Sequence, residues 1–319
     1  MVILWRIEER CNFACSFCGY SRELPRQRRS TSAADVRRGI ERFAAWPRRP
    51  GERVLLSWLG GEPFLRRDLT ELTRCAVELG LSVSATSNGT ALTDRALRRH
   101  VIDHYAELTL SVDGFADFHD GVRGHTGSFA LVEKVLRALA AERHERGHGP
   151  LLRVNSVLMR DNARAFPELA LGLASFGIDE LSVNQLGGVE RPEFHREHAL
   201  GPGDVEFLEA VWPRLRAELS QRGVRLLGGA TYLERLTASA RGLALPVADC
   251  RPGERFVFVD VDGRMSPCCH TIDSLGSPLT NLEDFRRLPL LFASARAAVR
   301  PRACDDCMST ETSAKFERT

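Results

Sequence analysis

The constraint that comes first is a rhythm. From Val2 to Gln221 short apolar, β-branched runs alternate with amphipathic ones, joined by short connections. The pattern predicts strands at Val2–Glu8, Arg53–Leu59, Leu81–Thr86, Glu107–Val112, Leu152–Met159 and Glu180–Leu186. Between and after them it predicts helices at Ala33–Trp46, Asp68–Leu79, from an N-cap at Thr93 through Arg99, Ser128–Arg146, Pro167–Phe176 and Asp204–Gln221. Val36, Ile40, Phe43 and Ala44 share one face of the first helix, and Gly80 is placed to cap the second. Strand–helix alternation demands a parallel sheet. Six such units suggest an open, partial form of the eight-stranded barrel, an α/β fold best written as a partial (β/α)6 TIM-like barrel. After Gly223 the rhythm changes to a helix (Tyr232–Ala240), a β-hairpin (Phe256–Asp260 and Arg264–Ser266 about Asp262-Gly263) and a further helical stretch (Leu288–Val299). The expected division is therefore residues 1–223 for the barrel and 224–319 for a smaller C-terminal domain.

Composition narrows the class. Over 319 residues, 43% are hydrophobic and 27% charged, which excludes disordered and fibrous chains. The longest apolar runs, Val54–Leu56 and Leu288–Phe292, fall far short of the roughly 20 residues that span a bilayer. Met1–Arg10 contains Glu8 and Glu9 and has no basic-then-apolar pattern, so it does not read as a secretory signal, and the expected location is cytoplasmic. A net charge of +2 is too small to imply nucleic-acid binding. The basic residues are almost all arginine, Lys134 and Lys315 being the lysines, which reads as the codon usage of a GC-rich genome. The nine cysteines are clustered: Cys11, Cys15 and Cys18 near the N-terminus, Cys250, Cys268, Cys269, Cys304 and Cys307 near the end, and Cys75 alone. An odd count with no signal argues against a disulfide framework, and clustered thiols in a reducing compartment hold metal or do redox chemistry.

Cys11-Asn-Phe-Ala-Cys15-Ser-Phe-Cys18 is C-x3-C-x2-C, directly after the first strand. Three thiolates on one loop can ligate three irons of a 4Fe–4S cluster and leave the fourth iron open. A zinc knuckle is the competing reading, although zinc sites usually pair C-x2-C units. With Phe17 before the last cysteine, the loop resembles the signature of radical S-adenosylmethionine (SAM) enzymes, in which the open iron binds the amino and carboxylate groups of SAM. Further segments match that family in order. Gly60-Gly61-Glu62-Pro63, after the second strand, resembles the segment that binds the methionine amino group. Ser111-Val112-Asp113-Gly114, followed by His119-Asp120 and Arg123, resembles a stretch in which Ser111 and Arg123 would contact SAM, the guanidinium taking its carboxylate. His119 and Asp120 read as structural. Asn88 at the end of strand three, Asn155 within strand five and Leu186 at the end of strand six occupy positions where the family places groups near SAM or substrate; a turn-shaping role for Asn88 and core packing for Leu186 compete.

Cys250, Cys268, Cys304 and Cys307 can ligate a second 4Fe–4S cluster, with tetrahedral zinc as the alternative. Given the N-terminal motif, this set resembles the twitch domain, the single-cluster, shortened form of the SPASM domain. Cys269 is the spare and could exchange places with Cys268, while Cys75 reads as a core thiol. Arg22, Arg26, Arg28 and Arg29 read as a solvated face or as a docking patch for an acidic electron carrier, flavodoxin or ferredoxin.

The resemblance implies cleavage of SAM to a 5′-deoxyadenosyl radical that takes a hydrogen atom from an unactivated carbon. Among twitch-domain relatives it implies an oxidoreductase, the carbinol dehydrogenases of aminocyclitol and aminoglycoside antibiotic biosynthesis, with a small sugar-like substrate and a second cluster that accepts the electron. The alternative is a maturase that modifies a ribosomal peptide or a protein side chain; an iron–sulfur sensor or scaffold is disfavoured by the intact SAM segments. No catalytic base is identified: Glu8, Glu9, Arg10, Glu190 and Asp249 qualify on position alone. The cluster assignment has a direct measurement. Anaerobically reconstituted protein is expected to hold about eight irons per chain; about four irons with one zinc would demote the C-terminal site.

Overall fold

The computed structural model describes residues 1–46, 52–247, 250, 251, 253–281 and 285–310. In chain order the elements are β1 (Val2–Glu8), α1 (Ala33–Ala44), β2 (Leu55–Gly60), α2 (Leu69–Glu78), β3 (Ser82–Ser87), α3 (Arg95–His104), β4 (Glu107–Ser111), α4 (Ala116–Arg123) and α5 (Ser128–Arg146). They continue with β5 (Leu151–Leu158), α6 (Arg160–Ala163), α7 (Phe166–Leu173), β6 (Glu180–Gln185), α8 (Pro192–His198), α9 (Pro202–Gln221), β7 (Arg225–Leu226) and α10 (Ala230–Ala240). The last are β8 (Phe256–Val259), β9 (Arg264–Ser266), α11 (Ile272–Leu275), β10 (Ser277–Pro278) and α12 (Leu288–Ala298). Short 3-10 turns fill several connections.

The strands form one sheet in the order β10-β9-β8-β1-β2-β3-β4-β5-β6-β7. Pairing from β8 through β7 is parallel, and the two outer pairs at the β10 edge are antiparallel. The partial (β/α)6 barrel expected from the sequence is present. The C-terminal hairpin extends the same sheet, with β8 lying beside β1, and β7 pairs with β6 just past residue 223.

Alternation along each strand divides the side chains. Ile3, Trp5 and Ile7 of β1 point outward into the helical layer and are buried there, while Val2 and Leu4 face the barrel interior. The core continues into the C-terminal region, where Phe285 packs on Phe43 and Trp46 with centroid separations of 5.2 and 4.7 Å, and Leu288 and Phe292 join it. Each such side chain contributes roughly 1.5–3 kcal/mol of burial. Cys75 packs partly buried against this core.

Local rules account for most boundaries. Ser32 caps α1 by accepting from Asp35 N at 3.1 Å. Gly80 follows α2 with φ 81°, the left-handed geometry of a terminating glycine. Thr93 is not the cap of α3: its hydroxyl donates to Thr90 O, Asp94 accepts from Leu97 N at 2.9 Å, and the helix runs on to His104. The carboxylate one residue later wins because it is the better acceptor for a helix N-terminus. Among the described residues, no helix is long and apolar enough to cross a membrane.

The interior holds a cavity of about 480 Å³ whose polar wall includes Ser57, Thr86, Thr109, Asn155, Ser182 and Asn184. Its floor is an ion-pair network. Arg153 donates to Glu180 Oε2 at 2.7 and 2.5 Å and to Glu107 at 3.1 Å, and Arg225 also pairs with Glu180, whose side chain is 2% exposed. Removing one member of a buried pair strands the other charge. Glu180→Ala is expected to lower unfolding stability by about 3–5 kcal/mol in chemical denaturation; a loss of about 1 kcal/mol or less would mean that water already screens the floor.

Candidate functional site

The C-terminal ends of β1 through β6 converge where an α/β barrel carries its site. The loop after β1 holds Cys11, Cys15 and Cys18. Phe13 N donates to Cys11 Sγ at 3.4 Å, and Tyr20 N donates to Cys18 Sγ at 3.3 Å. Burial pushes all three thiols up, Cys15 to about 12, so each resists losing its proton unless a metal ion replaces it. An all-thiol donor set with backbone N–H groups on the sulfurs suits an iron–sulfur cluster. Among the described residues, no three His, Cys, Asp or Glu side chains close on a single-ion position.

The loop is docked by backbone bonds: Ala14 N to Arg123 O at 3.2 Å and Ser16 N to Val122 O at 3.0 Å, both at the end of α4. The four arginines beyond it lie over the loop as a strap, Arg22, Arg26 and Arg29 exposed and Arg28 half-buried. Arg22 donates to Asn12 O and Arg26 to Gly19 O; Arg28 donates to Gly19, Ser21 and Leu24 carbonyls; Arg29 pairs with Glu9. Their exposure is in keeping with the expected solvated face, while their forks also tie down the cluster loop and its surroundings.

Gly60 and Gly61 are required by the same loop. A Cβ on Gly60 would stand 2.0 Å from Glu8 O, and one on Gly61 would stand 2.3 Å from Arg10 O. Gly61 N and Glu62 N donate to those carbonyls at 2.7 and 2.8 Å. The close approach these glycines permit is that of their own chain. The Glu62 carboxylate is 0% exposed and accepts from Phe64 N, Ser87 Oγ and Asn88 N at 3.1, 2.9 and 2.7 Å. Burial pushes its pKa up to about 7, against the pull of those donors. Glu62 therefore ties β2 to β3, and an incoming ammonium would meet the segment's backbone and the carboxylate's field, not a free carboxylate. The Asn88 side chain is likewise committed, donating to Asn12 at 2.8 Å and accepting from Thr90 N and Oγ1, with Cys11 Sγ at 4.0 Å. It shapes the turn beside the cluster loop.

Asp113, to which the sequence alone assigns no role, is the hub. Fully buried, it accepts from Val157 N at 2.8 Å and from Arg123 Nε at 2.6 Å, while its own N–H donates to His119 Nδ1 at 3.1 Å. Burial opposes the Arg123 charge, but Asp113 and the thiols of Cys15 and Cys18 hold its pKa above the ordinary value. Arg123 lies 5.2 Å from the Phe17 ring centroid, and among the described residues its terminal nitrogens make no hydrogen bond. His119 stays neutral, its pKa depressed to about 4 by burial, and Asp120 caps α5 through Phe129 N and Ser128 Oγ at 2.9 Å, so both are structural. Ser111, Asn155 and Ser182 stand in register on neighbouring strands, with Ser182 Oγ donating to Asn155 at 2.8 Å. Leu186 packs with Val122, Met159 and Phe17 in a small apolar cluster apart from the main core. The structure thus gathers Phe17, Arg123 and Leu186 around the thiol loop.

The late cysteines are neighbours, but among the described residues no three of them close on a metal position. Cys250 lies within electrostatic reach of Cys268, Cys304 and Cys307, while Cys269 is exposed and faces Arg6 instead. Val247 N to Cys304 O and Cys307 N to Leu245 O, at 3.1 and 3.0 Å, fasten the C-x2-C loop, and Arg235 reaches Asp306 and the Cys307 carbonyl at 2.6 and 3.2 Å. Of the base candidates, Glu8 is paired with Arg10 and Glu9 with Arg26 and Arg29, both buried; Glu190 borders Gly19, and Asp249 lies outside the described residues.

Comparison with known proteins adds the family. The profile of the radical SAM superfamily matches residues 6–170. The AdoMet-dependent heme synthase of Nitratidesulfovibrio vulgaris is 23% identical over 278 residues, 84% of this chain and 73% of that protein. The mycofactocin maturase MftC of Mycobacterium tuberculosis is 24% identical over 315 residues, 96% of this chain and 75% of that protein. Among solved structures, Streptococcus suis SuiB bound to S-adenosylmethionine superposes with a TM-score of 0.69 at 16% identity, over 96% of this chain and 72% of that one. SuiB bound to its precursor peptide SuiA superposes with a TM-score of 0.66 at 15% identity, over 98% and 75%. These structural likenesses establish the fold.

The hub makes one outcome measurable. Asp113→Asn leaves the Arg123 charge buried without its partner, and SAM retention by equilibrium dialysis is expected to fall more than about tenfold. Unchanged retention with a lower melting temperature would confine Asp113 to a structural role.

Proposed function

The chain belongs to the radical SAM superfamily, and from that premise we propose that it is a maturase that modifies a peptide or protein side chain. The carrying observation is the extent of the likeness to a maturase, 96% of this chain, which runs well past the residues 6–170 that the superfamily profile matches. Superposition on SuiB with its precursor peptide supports the same reading. When bound, a 4Fe–4S cluster with SAM supplies the 5′-deoxyadenosyl radical that removes a hydrogen atom from a substrate carbon, and a second cluster supplies an electron acceptor.

The protein's part is binding and position. Cys11, Cys15 and Cys18 hold the first cluster, and their arginine strap and the α4 carbonyls keep the loop rigid. Arg123, oriented by Asp113, offers its free guanidinium end to the SAM carboxylate. Gly60 and Gly61 bring the β2 end close to the loop, so the backbone around Glu62 faces the ammonium. Ser111 and Asn155 present polar groups on adjacent strands, while Phe17 and Leu186 form the apolar wall for the adenine. Cys250, Cys268, Cys304 and Cys307 hold the auxiliary cluster, in the region 224–319 that we assign to it, with residues 1–223 as the barrel. A flavodoxin or ferredoxin donates the electron, in a cytoplasmic setting that keeps the thiols reduced.

A second reading draws on the cavity wall. Its hydroxyl and amide side chains, among them Thr109, Asn155 and Ser182, also suit a polyhydroxylated small molecule, and alcohol oxidation on an aminocyclitol keeps that support. One anaerobic experiment separates the two. Reduced, reconstituted protein with SAM is given a panel of short peptides or a panel of aminocyclitols. Equimolar 5′-deoxyadenosine and a mass change in the peptide are expected; 5′-deoxyadenosine coupled only to ketone formation on a cyclitol would replace the maturase reading.

A further inference from the structure

Arg6 stands on the inward-facing row of β1, two residues beyond Leu4, which lines the cavity, and in register with Leu59, which lines it too. Its guanidinium carbon lies over two rings, 5.3 Å from the Tyr20 centroid and 4.9 Å from that of Phe258. Tyr20 is two residues past Cys18 on the N-terminal thiol loop. Phe258 belongs to the hairpin and shares an apolar cluster with Ile272, against which Cys268 and Leu4 pack. Arg6 therefore sits at the seam between the two thiol sites, beside the cavity.

What distinguishes it is the use of its donors. Arg22, Arg26, Arg28, Arg29 and Arg123 all hydrogen-bond within the chain, whereas among the described residues Arg6 makes no hydrogen bond and no ion pair. The carboxylates near Tyr20 are engaged with other arginines: Glu9 with Arg26 and Arg29, and Glu190 within 3.8 Å of Arg26. Rings on its flanks hold a guanidinium in place while leaving its N–H fork unspent, and that fork matches a carboxylate bidentately. A structural cation–π contact alone would not require the donors to stay unpaired at a cavity.

We propose that Arg6 is a substrate anchor that binds a carboxylate, so that the substrate is an anionic one held between the two thiol sites. Resting on the maturase reading, the carboxylate is an acidic side chain of the peptide or its C-terminus. The anchor places the remainder of the substrate over the polar cavity wall.

The test uses reconstituted, SAM-loaded protein and four probes: Ac-Gly-Glu-Gly-NH2, Ac-Gly-Gln-Gly-NH2, Ac-Gly-Gln-Gly with a free C-terminal carboxylate, and glutarate, each followed by saturation-transfer NMR. At least one carboxylate-bearing tripeptide is expected to bind about tenfold or more tighter than the neutral one. Which tripeptide wins identifies the source of the carboxylate. The preference is expected to vanish in Arg6→Gln and to survive in part in Arg6→Lys, which keeps the charge and loses the fork. Binding of glutarate but of no tripeptide, with the same dependence on Arg6, would uphold the anchor and remove the peptide reading. Equal binding of acidic and neutral probes by the wild type, or a preference that persists in Arg6→Gln, would overturn the anchor and leave the peptide reading standing. The wild-type comparison decides by itself if Arg6→Gln loses its iron.

Discussion

The buried contact between Asp113 and Arg123, 2.6 Å long, is the joint on which the upper face of the barrel depends. One carboxylate receives the β5 backbone at Val157 and the guanidinium from α4, while its own N–H is taken by His119. The backbone at the end of α4 in turn accepts the amides of Ala14 and Ser16 on the thiol loop. Sheet, helix and loop are thus chained through a single residue. A buried ion pair is weak evidence for stability, because desolvation opposes the Coulomb gain. Its value here is directional: it fixes one nitrogen of Arg123 and leaves the other two without a hydrogen bond among the described residues, which an apolar substitute of equal volume could not do.

Much of this was legible in the residues, and the parts that were not share a cause. Periodicity reports which face of a segment is buried, so the six strands and the long helices were recovered. The C-x3-C-x2-C spacing and the distribution of the late cysteines were legible because thiols in sequence clusters have few other uses. Partner choice was not. Nothing in Gly-Gly-Glu-Pro says that the carboxylate turns back onto Ser87 and Asn88, or that the glycines are demanded by Glu8 and Arg10 carbonyls. α4 and α8 carry no apolar stripe to read: α4 buries His119 and Arg123 beside Val122, and α8 buries no residue. Spacing does not choose between Cys268 and Cys269, because adjacent side chains diverge after β9; Cys268, not Cys269, is within electrostatic reach of Cys250 and Cys307.

The two thiol sites are built differently, and the difference follows from chain topology. The N-terminal set lies on one loop, so its geometry depends on what grips that loop: the α4 carbonyls, the Gly60-Gly61 crossing and the arginine strap. The C-terminal set draws thiols from three separate segments, so it depends on the hairpin lying beside β1 and on the Leu245–Val247 segment holding Cys304 and Cys307. The parallel pairing of β8 with β1 brings both sites to the same edge of the barrel, with Arg6 between them.

Arginine dominance, which reads from composition as genomic bias, has a structural consequence. Arg28 bonds three carbonyls of the loop at once, Gly19, Ser21 and Leu24. A lysine carries comparable charge but concentrates its donors at one point and holds its water more tightly, so it could not span those acceptors. The distinction matters beside buried sulfur. Arg123 and Arg28 lower the cost of negative charge at Cys18 while burial raises it. A loop destined to carry thiolates needs cations that are rigidly held and weakly hydrated, and forked side chains tied to its own carbonyls meet both requirements. Whatever mutational pressure filled the chain with arginine, the loop uses the planar fork as well as the charge.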